Sequence, residues 1–168
     1  MKRDVFIVKT SRYISIVSNL LGRLGVVDPK QIVSYLDIDV SNSMLGNEVK
    51  KKLAESREIT EEVFMYYWKN NSEIELFNSQ EEKRIKEKYG YRNRKSIYKD
   101  SIFLSVSIYN NMLKITPLHQ DGLGSYTSVR NKEGVAIKFE YSVNLLLFPE
   151  ELGNKIIEAF KYSTSIYK

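Results

Sequence analysis

The sequence predicts an α+β fold in which an antiparallel β-sheet packs with a central helical segment and a C-terminal helix. Three observations support this prediction: β-branched runs occupy the first 40 residues, helical periodicity follows in the middle, and the C-terminal half contains two hairpin patterns. Because strands and helices occupy separate parts of the chain, their order favours α+β over α/β. A length of 168 residues fits a single domain, 1–168.

The N-terminal strands are predicted from short apolar runs. Residues 5–8 and 13–17 are rich in Val, Ile and aromatic side chains, which favour the pleated conformation. Asp28-Pro29 marks a turn. Residues 32–38 then indicate a further strand or an extended edge.

The first helix is predicted from an apolar residue at every fourth position. Leu45, Val49 and Leu53 share one helical face, and charged residues lie between them. Ser41 or Ser43 provides a side-chain oxygen that can cap the first turn.

Further helical stretches are predicted before residue 90. Thr60 followed by two glutamates gives a polar cap and an acidic first turn, which the helix dipole stabilises. The segments 72–75 and 79–82 both have the Ser-x-x-Glu pattern of a capping box, so the chain is expected to restart a helix at one or both of them. Gly90 is expected to end the last of these helices.

Two hairpins are predicted in the C-terminal half. Residues 102–109 alternate with a period of two, and Asn110-Asn111 tolerates the positive φ that a tight turn needs. The return strand is expected to continue up to Pro117. A second hairpin is predicted over 126–141, with its turn at 131–134.

The closing helix is predicted to begin at Pro149. Proline is favoured at the first helical position, and the two glutamates that follow it suit the positive end of the helix dipole. The apolar stripe of this helix consists of Leu152, Ile156, Ile157 and Phe160.

The composition excludes several kinds of chemistry. The chain contains no cysteine and one histidine, His119, which excludes disulfides, thiolate metal sites, a cysteine nucleophile and zinc sites built on several histidines. It has neither a Walker-type phosphate loop nor a dinucleotide-binding fingerprint. No cofactor and no metal are predicted.

Neither a membrane span nor a secretory signal is predicted. The apolar runs are far shorter than the roughly 20 residues of a membrane helix. The basic N-terminus is followed by only four apolar residues, 5–8, whereas a signal peptide needs about 7–15. We therefore expect a cytoplasmic protein.

Charge is distributed unevenly along the chain, whose net charge is +5. The acidic segment, residues 58–82, contains seven glutamates and one lysine and carries −6. The basic segment, residues 83–99, contains eight lysines and arginines and one glutamate and carries +7. The two segments are adjacent, so the overall charge conceals a polarised molecule.

The basic segment also contains three tyrosines. Cations beside stacking rings are typical of surfaces that bind single-stranded nucleic acid, which makes a small basic nucleic-acid-binding protein the alternative function. In the interpretation that we prefer, the cations lie at a solvated helix end and the tyrosines face the core. The residues concerned are Lys86, Tyr89, Tyr91, Arg92, Arg94, Lys95 and Tyr98.

Two small groups of residues could support metal binding or catalysis. Asp37 and Asp39 would point the same way in an extended segment and could hold a divalent cation with Glu48, although a solvated loop edge is the simpler interpretation. His119 could act as a general base beside Asp121, although a structural histidine is simpler. Neither group requires an enzyme, and we predict that the protein has no catalytic activity.

Several stretches together resemble the immunity proteins of contact-dependent growth inhibition (CDI) systems. Residues 34–57 are similar to a family segment with a Leu-Asp-x-x-Val-Ser pattern, a Leu-Gly pair and a Ser-Arg end. Residues 88–99 resemble a Tyr-Gly-Tyr stretch rich in lysine, and 113–119 resemble a hairpin end that reads Ile-x-Pro-x-His. Residues 149–160 are similar to a closing Pro-Glu-Glu helix. These stretches occur in the order that the family has.

The resemblance implies a stoichiometric inhibitor. Each member of that family binds the toxic C-terminal domain of a cognate effector, which is delivered by cell contact, and blocks it in the cytoplasm of the producing cell and its siblings. Many such toxins are nucleases, and several are ribonucleases. The implied partner is therefore a cognate CDI toxin domain, with no membrane partner and no nucleic acid.

The acidic segment is the predicted toxin-binding surface. A nuclease active site attracts phosphate, so an acidic inhibitor would mimic the charge of the substrate. Aromatic residues supply the anchors that dominate many protein–protein interfaces. The predicted contact residues are Glu58, Glu61, Glu62, Tyr66, Tyr67, Trp68, Glu73 and Glu75.

Overall fold

The computed structural model describes residues 1–146 and 148–168, in which ten strands and five α-helices follow one another. The strands are β1 (Arg3–Lys9), β2 (Tyr13–Leu21), β3 (Gly25–Val27), β4 (Ser34–Asp37), β5 (Arg57–Glu58), β6 (Ile102–Tyr109), β7 (Met112–Gly122), β8 (Ser125–Ser128), β9 (Phe139–Ser142) and β10 (Thr164–Ser165). The helices are α1 (Asn42–Glu55), α2 (Glu61–Lys69), α3 (Ser72–Tyr89), α4 (Arg94–Asp100) and α5 (Pro149–Phe160), and a 3₁₀ turn spans Val143–Leu146. The predicted α+β class is confirmed.

The strands form one curled, mainly antiparallel sheet with the order β10-β7-β6-β1-β2-β3. β4 and β5 also pair with β2, and β8 and β9 also pair with β7. β1 lies in the centre, where Val5 is opposite Ser18 of β2 on one side and Val106 of β6 on the other. The predicted β6–β7 hairpin is confirmed, and Asn110 and Asn111 have φ of 50° and 59°.

The second predicted hairpin is only partly present. Its turn forms, since Arg130 and Ala136 are bridged and the amide of Asn131 donates to the carbonyl of Val135 at 2.9 Å. The strands on either side, however, both pair with β7 and not with each other. β7 is long enough to pair with both strands because it continues past Pro117. Proline has no amide hydrogen to donate, but its carbonyl accepts the amide of Val129 at 3.1 Å.

The predicted helix restart occurs at the first of the two Ser-x-x-Glu segments, because α3 begins at Ser72, and the helix then continues through Ser79 for 18 residues in all. Inside a helix each amide already has a backbone partner, so a Ser-x-x-Glu pattern has no free donor to cap. Gly90 ends α3 as predicted, with φ of 73°. α4 was not predicted from the sequence, although Asn93 and Ser96 form a reciprocal capping box at its start.

One face of the sheet holds the main apolar core. Alternate residues of β1, β2, β6 and β7 pack there against α1 and α5. The predicted apolar stripes of both helices pack on this core and are buried except for Ile157, which is partly buried. Ser41 caps α1 by accepting the amide of Met44 at 3.2 Å. α1 and α5 cross at two glycines, Gly46 and Gly153, where an added Cβ would overlap the backbone of the other helix.

The opposite face of the sheet is covered by α3 and α4. A tyrosine cluster joins the C-terminal end of α3 to β2: the rings of Tyr13 and Tyr89 stack with centroids 4.5 Å apart, and Tyr35 and Tyr91 meet Tyr13 edge-on. Toward the N-terminus of α3 the helix and the sheet separate and leave a cleft of about 1040 Å³. The core and the cleft therefore lie on opposite faces of one sheet.

The tyrosine cluster ends at Asp100, which allows a prediction about pH. Asp100 accepts hydrogen bonds from Tyr91 Oη at 2.6 Å and from Ser11 Oγ at 2.7 Å. Burial by itself would raise the pKa of this carboxyl. The hydrogen bonds donated to its charged form together outweigh burial, so the pKa of Asp100 lies below the ordinary value. Ionised Asp100 therefore stabilises the fold above the unfolded pKa of about 4, and this contribution is lost as the pH falls through the lower, folded-state pKa.

We expect Asp100→Asn to lower the melting temperature at pH 7 and to lose that effect near pH 2. Thermal unfolding of wild type and variant between pH 2 and pH 7 measures the difference. Asp39→Asn, at an exposed site, is the control and should be nearly neutral at both ends. A destabilisation by Asp100→Asn that does not vary with pH would contradict this account.

Candidate protein-interaction surface

α2 is held against the sheet by two inward-facing aromatic residues. Thr60 caps the helix by accepting the amide of Val63 at 3.3 Å, as predicted. Phe64 and Tyr67 are buried on its inner side. Phe64 packs so closely on the β2–β3 connection that a Cβ on Gly22 would lie 2.6 Å from its ring. α2 is thus fixed in place, and its outer side faces solvent.

The outer side of α2 exposes two large aromatic side chains. Trp68 is 60% exposed and Tyr66 is 48% exposed. The ring of Trp68 stacks on Phe64 with centroids 5.7 Å apart. Tyr66 Oη donates to a Glu73 carboxylate oxygen at 2.6 Å, which links α2 to the first turn of α3 and raises the pKa of the tyrosine. These contacts orient both rings while leaving much of their area uncovered.

The carboxylates around these rings fall into two groups. Glu61 is paired with Arg23 at 2.7 Å, and Glu58 lies 4.0 Å from Lys2 Nζ. In the part of the chain that the structure describes, Glu62, Glu73 and Glu75 form no ion pair. The surface therefore keeps an uncompensated negative charge next to exposed aromatic rings.

We call α2 and the first turn of α3 the acidic aromatic surface. It contains seven of the eight predicted contact residues, and the eighth, Glu58 of β5, lies at its margin beside Leu21. Tyr67 is the exception as a contact, since only 7% of it is exposed and its ring meets Tyr66 edge-on. Helical periodicity is the signal for this burial, because Tyr67 follows Phe64 by three residues and lies on the same inner side of α2, whereas Tyr66 does not.

Two apolar members of this region were missed. Leu76 is 59% exposed and Val63 is 39% exposed. A signal existed for Leu76: Phe77, Ile85 and Tyr89 follow one helical stripe at multiples of four residues, and Leu76 lies off that stripe. Apolar residues outside the buried stripe of an amphipathic helix are candidates for contact with another molecule.

The tyrosines of the basic segment are engaged inside the protein. Tyr91 is buried, Tyr89 stacks in the tyrosine cluster, and Arg94 lies over the ring of Tyr98 at 5.3 Å. Lys86 lies 3.6 Å from Glu82 on the same helix. This arrangement agrees with the interpretation of a solvated helix end with tyrosines facing the core, and it leaves few ring faces for nucleic-acid bases.

Three of the candidate catalytic and metal-binding residues have local structural partners, whereas Asp37 and Asp39 are exposed at and just after the end of β4. His119 Nδ1 lies 2.8 Å from Thr164 Oγ1, and Asp121 accepts a hydrogen bond from Ser125. Glu48 accepts one from Ser34 at 2.9 Å. Among residues 1–146 and 148–168, no group of three His, Asp or Glu side chains is placed to hold a metal ion. In the same ranges, no helix is both long and apolar enough to cross a membrane.

Oriented aromatic rings that stay exposed on an α+β scaffold are typical of surfaces that bind another protein. Comparison with protein families identifies the family to which the chain belongs. The family model of the CDI immunity protein, CdiI, matches residues 3–163, and the chain belongs to this family.

Two solved structures have a similar fold. One is a protein of unknown function, NMB0488, from Neisseria meningitidis, with a TM-score of 0.85 and 18% sequence identity over 97% of this chain and 96% of that one. The other belongs to a CdiA-CT/CdiI toxin and immunity complex from Yersinia pseudotuberculosis, with a TM-score of 0.82 and 17% identity over 97% and 98% of the two chains. No curated protein matches the chain.

Proposed function

We propose that this protein neutralises the C-terminal toxin domain of a cognate CDI effector by binding it in the cytoplasm, without catalytic turnover. Membership of the CDI immunity protein family supports the class of partner. The observation that supports this binding site is the exposure of Trp68 and Tyr66 beside carboxylates that have no intramolecular cation. The acidic aromatic surface is the contact that we assign to the toxin.

The aromatic rings account for the affinity that protection needs. Nanomolar binding corresponds to about −12 kcal/mol and is usually delivered by an interface of roughly 1,600 Å². Within such an interface a few Trp, Tyr and Arg residues contribute most of the energy. Trp68 and Tyr66 are already oriented by Phe64 and Glu73, so little side-chain entropy is lost when a partner covers them.

The carboxylates account for the choice of partner. A site that binds nucleic acid is cationic because it must attract phosphate. An acidic inhibitor surface is complementary to such a site and increases the rate of encounter. This charge complementarity favours a nuclease as the toxin, and a ribonuclease is one kind of nuclease that fits. The cations of α3 lie at its other end, where Lys83 and Lys86 are near Glu87 and Glu82.

The single tryptophan of the chain makes this contact directly measurable. We expect the ¹⁹F resonance of the chain labelled with 5-fluorotryptophan to shift when the unlabelled toxin domain is added, because Trp68 passes from solvent into the interface. The appropriate toxin domain is that of the CDI effector encoded beside this protein. Trp68→Ala is expected to weaken binding by at least about 2 kcal/mol, or roughly 30-fold.

A matched pair of tyrosine variants provides the control. Tyr66 and Tyr162 are both 48% exposed, but only Tyr66 lies on the acidic aromatic surface. Tyr66→Ala should weaken toxin binding, and Tyr162→Ala should leave the dissociation constant unchanged. An unshifted ¹⁹F resonance in the saturated complex would show that the toxin binds elsewhere.

A further inference from the structure

The basic segment contains cations that the proposed function does not use. Its first three cations lie 3.6–4.0 Å from glutamates of α3 and are compensated along that helix. Four later cations of the segment, together with one in the β1–β2 turn, are exposed and form no ion pair with any residue of 1–146 or 148–168. We call these five residues the cationic face: Arg12, Lys88, Arg92, Lys95 and Lys99.

The cationic face lies where the end of α3, the β1–β2 turn and α4 come together. Arg12 donates to the carbonyl of Tyr89 in the last turn of α3, and Lys88 Nζ lies 5.2 Å from the centre of the Tyr89 ring. Asp100 at the end of α4 accepts the hydroxyl of Ser11 at 2.7 Å, which joins α4 to the same turn. Asp100 is the one carboxylate in these contacts, so positive charge is in excess here.

The cationic face offers neither free aromatic rings nor exposed apolar side chains. Tyr89 and Tyr91 pack in the tyrosine cluster, and the guanidinium group of Arg12 covers the Tyr91 ring at 4.6 Å. Within 83–100, a range that the structure describes in full, no large apolar side chain is exposed.

This composition distinguishes between the kinds of anionic partner. The bases of a single strand need rings on which to stack. An interface with another protein has an apolar or aromatic core, and a helix that lies on a membrane inserts apolar residues. The cationic face has none of these features, so it suits a partner that is recognised by charge alone.

The backbone of a nucleic-acid duplex is such a partner. A duplex of DNA carries one negative charge per about 1.7 Å of its axis, while its bases remain stacked inside. Lysines and arginines that neutralise these phosphates release counterions, and this release supplies most of the free energy of non-specific binding. Contacts of this kind need neither a ring nor a base edge.

We propose that the cationic face binds the phosphate backbone of double-stranded nucleic acid, whatever its base sequence. This inference does not depend on the proposed function. The acidic aromatic surface includes the first turn of α3, whereas the cationic face lies at the other end of this 18-residue helix, which is about 27 Å long. One molecule is therefore able to contact the duplex and the toxin domain at the same time.

The salt dependence of binding measures how many phosphates the protein contacts. We expect fluorescence anisotropy with short labelled duplexes of mixed sequence to detect binding at low salt. For DNA, five phosphate contacts predict a slope of about −4.5 when the logarithm of the association constant is plotted against that of the salt concentration. A parallel titration with an RNA duplex shows which of the two the protein prefers, and a steep slope with either supports the inference.

Two double variants separate the cationic face from the net charge of the protein. Arg92→Gln with Lys95→Gln removes two charges from the face, and Lys30→Gln with Lys132→Gln removes two exposed charges elsewhere. The first pair should weaken duplex binding at least about tenfold at low salt and make the slope shallower by about 2. The second pair should leave the affinity and the slope unchanged. Circular dichroism checks that both variants fold.

Several results would overturn the inference. Equal losses in the two double variants would show attraction by net charge alone. A single strand with as many phosphates that binds more tightly than both duplexes would contradict a backbone contact. Retention on vesicles of equal parts phosphatidylserine and phosphatidylcholine, without binding to either duplex, would assign the face to a membrane. A wild type that binds the duplex but not the toxin domain would contradict the proposed function alone.

Discussion

A Gly153→Ala variant is expected to be destabilised by about 3 kcal/mol, at the upper end of the range for overpacking a core. The Cβ of alanine would lie 1.9 Å from the carbonyl oxygen of Asn42, and the same group on Gly46 would lie 1.7 Å from the carbonyl of Pro149. Both obstacles are backbone atoms of the facing helix, so rotation of a side chain cannot relieve the overlap. α1 and α5 must separate, and the apolar core between them and the sheet loses contacts.

Differential scanning calorimetry should show a fall in melting temperature of roughly 10 °C, given about 2–4 °C per kcal/mol for a domain of this size. Gly25→Ala is the matched control, because the nearest atom to its Cβ is a Leu21 side-chain carbon at 3.7 Å, an ordinary contact. A Gly153→Ala protein as stable as Gly25→Ala would contradict the close crossing. Both helix glycines lie in stretches that resemble the family, and the crossing supplies a physical reason for glycine at these positions.

The second large effect is expected for charge reversal on the acidic aromatic surface. Replacing Glu62, Glu73 and Glu75 by lysine changes the local charge from three negative to three positive while leaving the Glu61–Arg23 pair intact. Like charges then face the cationic surface that we propose for the toxin, and such contacts cost several kcal/mol. We expect binding to weaken by about 4 kcal/mol, or roughly a thousandfold, and growth protection of the producing cell to be lost.

The folded structure should survive this change. Glu62 and Glu75 are exposed, and the bond from Tyr66 to Glu73 is a surface contact whose loss costs only about 1 kcal/mol. The circular dichroism spectrum is therefore expected to match that of the wild type. A triple variant with the same change in charge, in which Asp37, Asp39 and Glu133 are replaced by lysine, is the control and should still protect. Full protection by the surface variant would remove this surface from consideration.

The local signals in the sequence predicted much of the fold. The caps at Ser41 and Thr60, the turn at Asn110-Asn111 and the helix end at Gly90 all formed as expected. Each depends on hydrogen bonds or dihedral angles within a few residues, which a sequence pattern specifies directly. Ser79 does not start a helix and the second hairpin forms only in part, because each competes with a longer element that a short motif does not encode.

The candidate site was likewise predictable from the sequence only in part. The exposed carboxylates and aromatic rings of α2 are consecutive in sequence, and their amphipathic helix predicts that some of them face solvent. The cleft was not predictable, because Asp4, Phe103 and Tyr126 meet only through the pairing of β1 with β6 and of β7 with β8. Strand register determines which face each of these side chains occupies.

The sequence by itself determined the class of fold, the family and the chemical character of the exposed segments, because composition and local pattern are sufficient for these. Only the tertiary structure decided that Trp68 is exposed while Tyr67 is buried, that two glycines allow α1 and α5 to touch, and that Asp4 and Tyr126 line one cleft. The physical reason is that desolvation and steric contact depend on neighbours that are distant along the chain, and those neighbours are set by the assembled sheet.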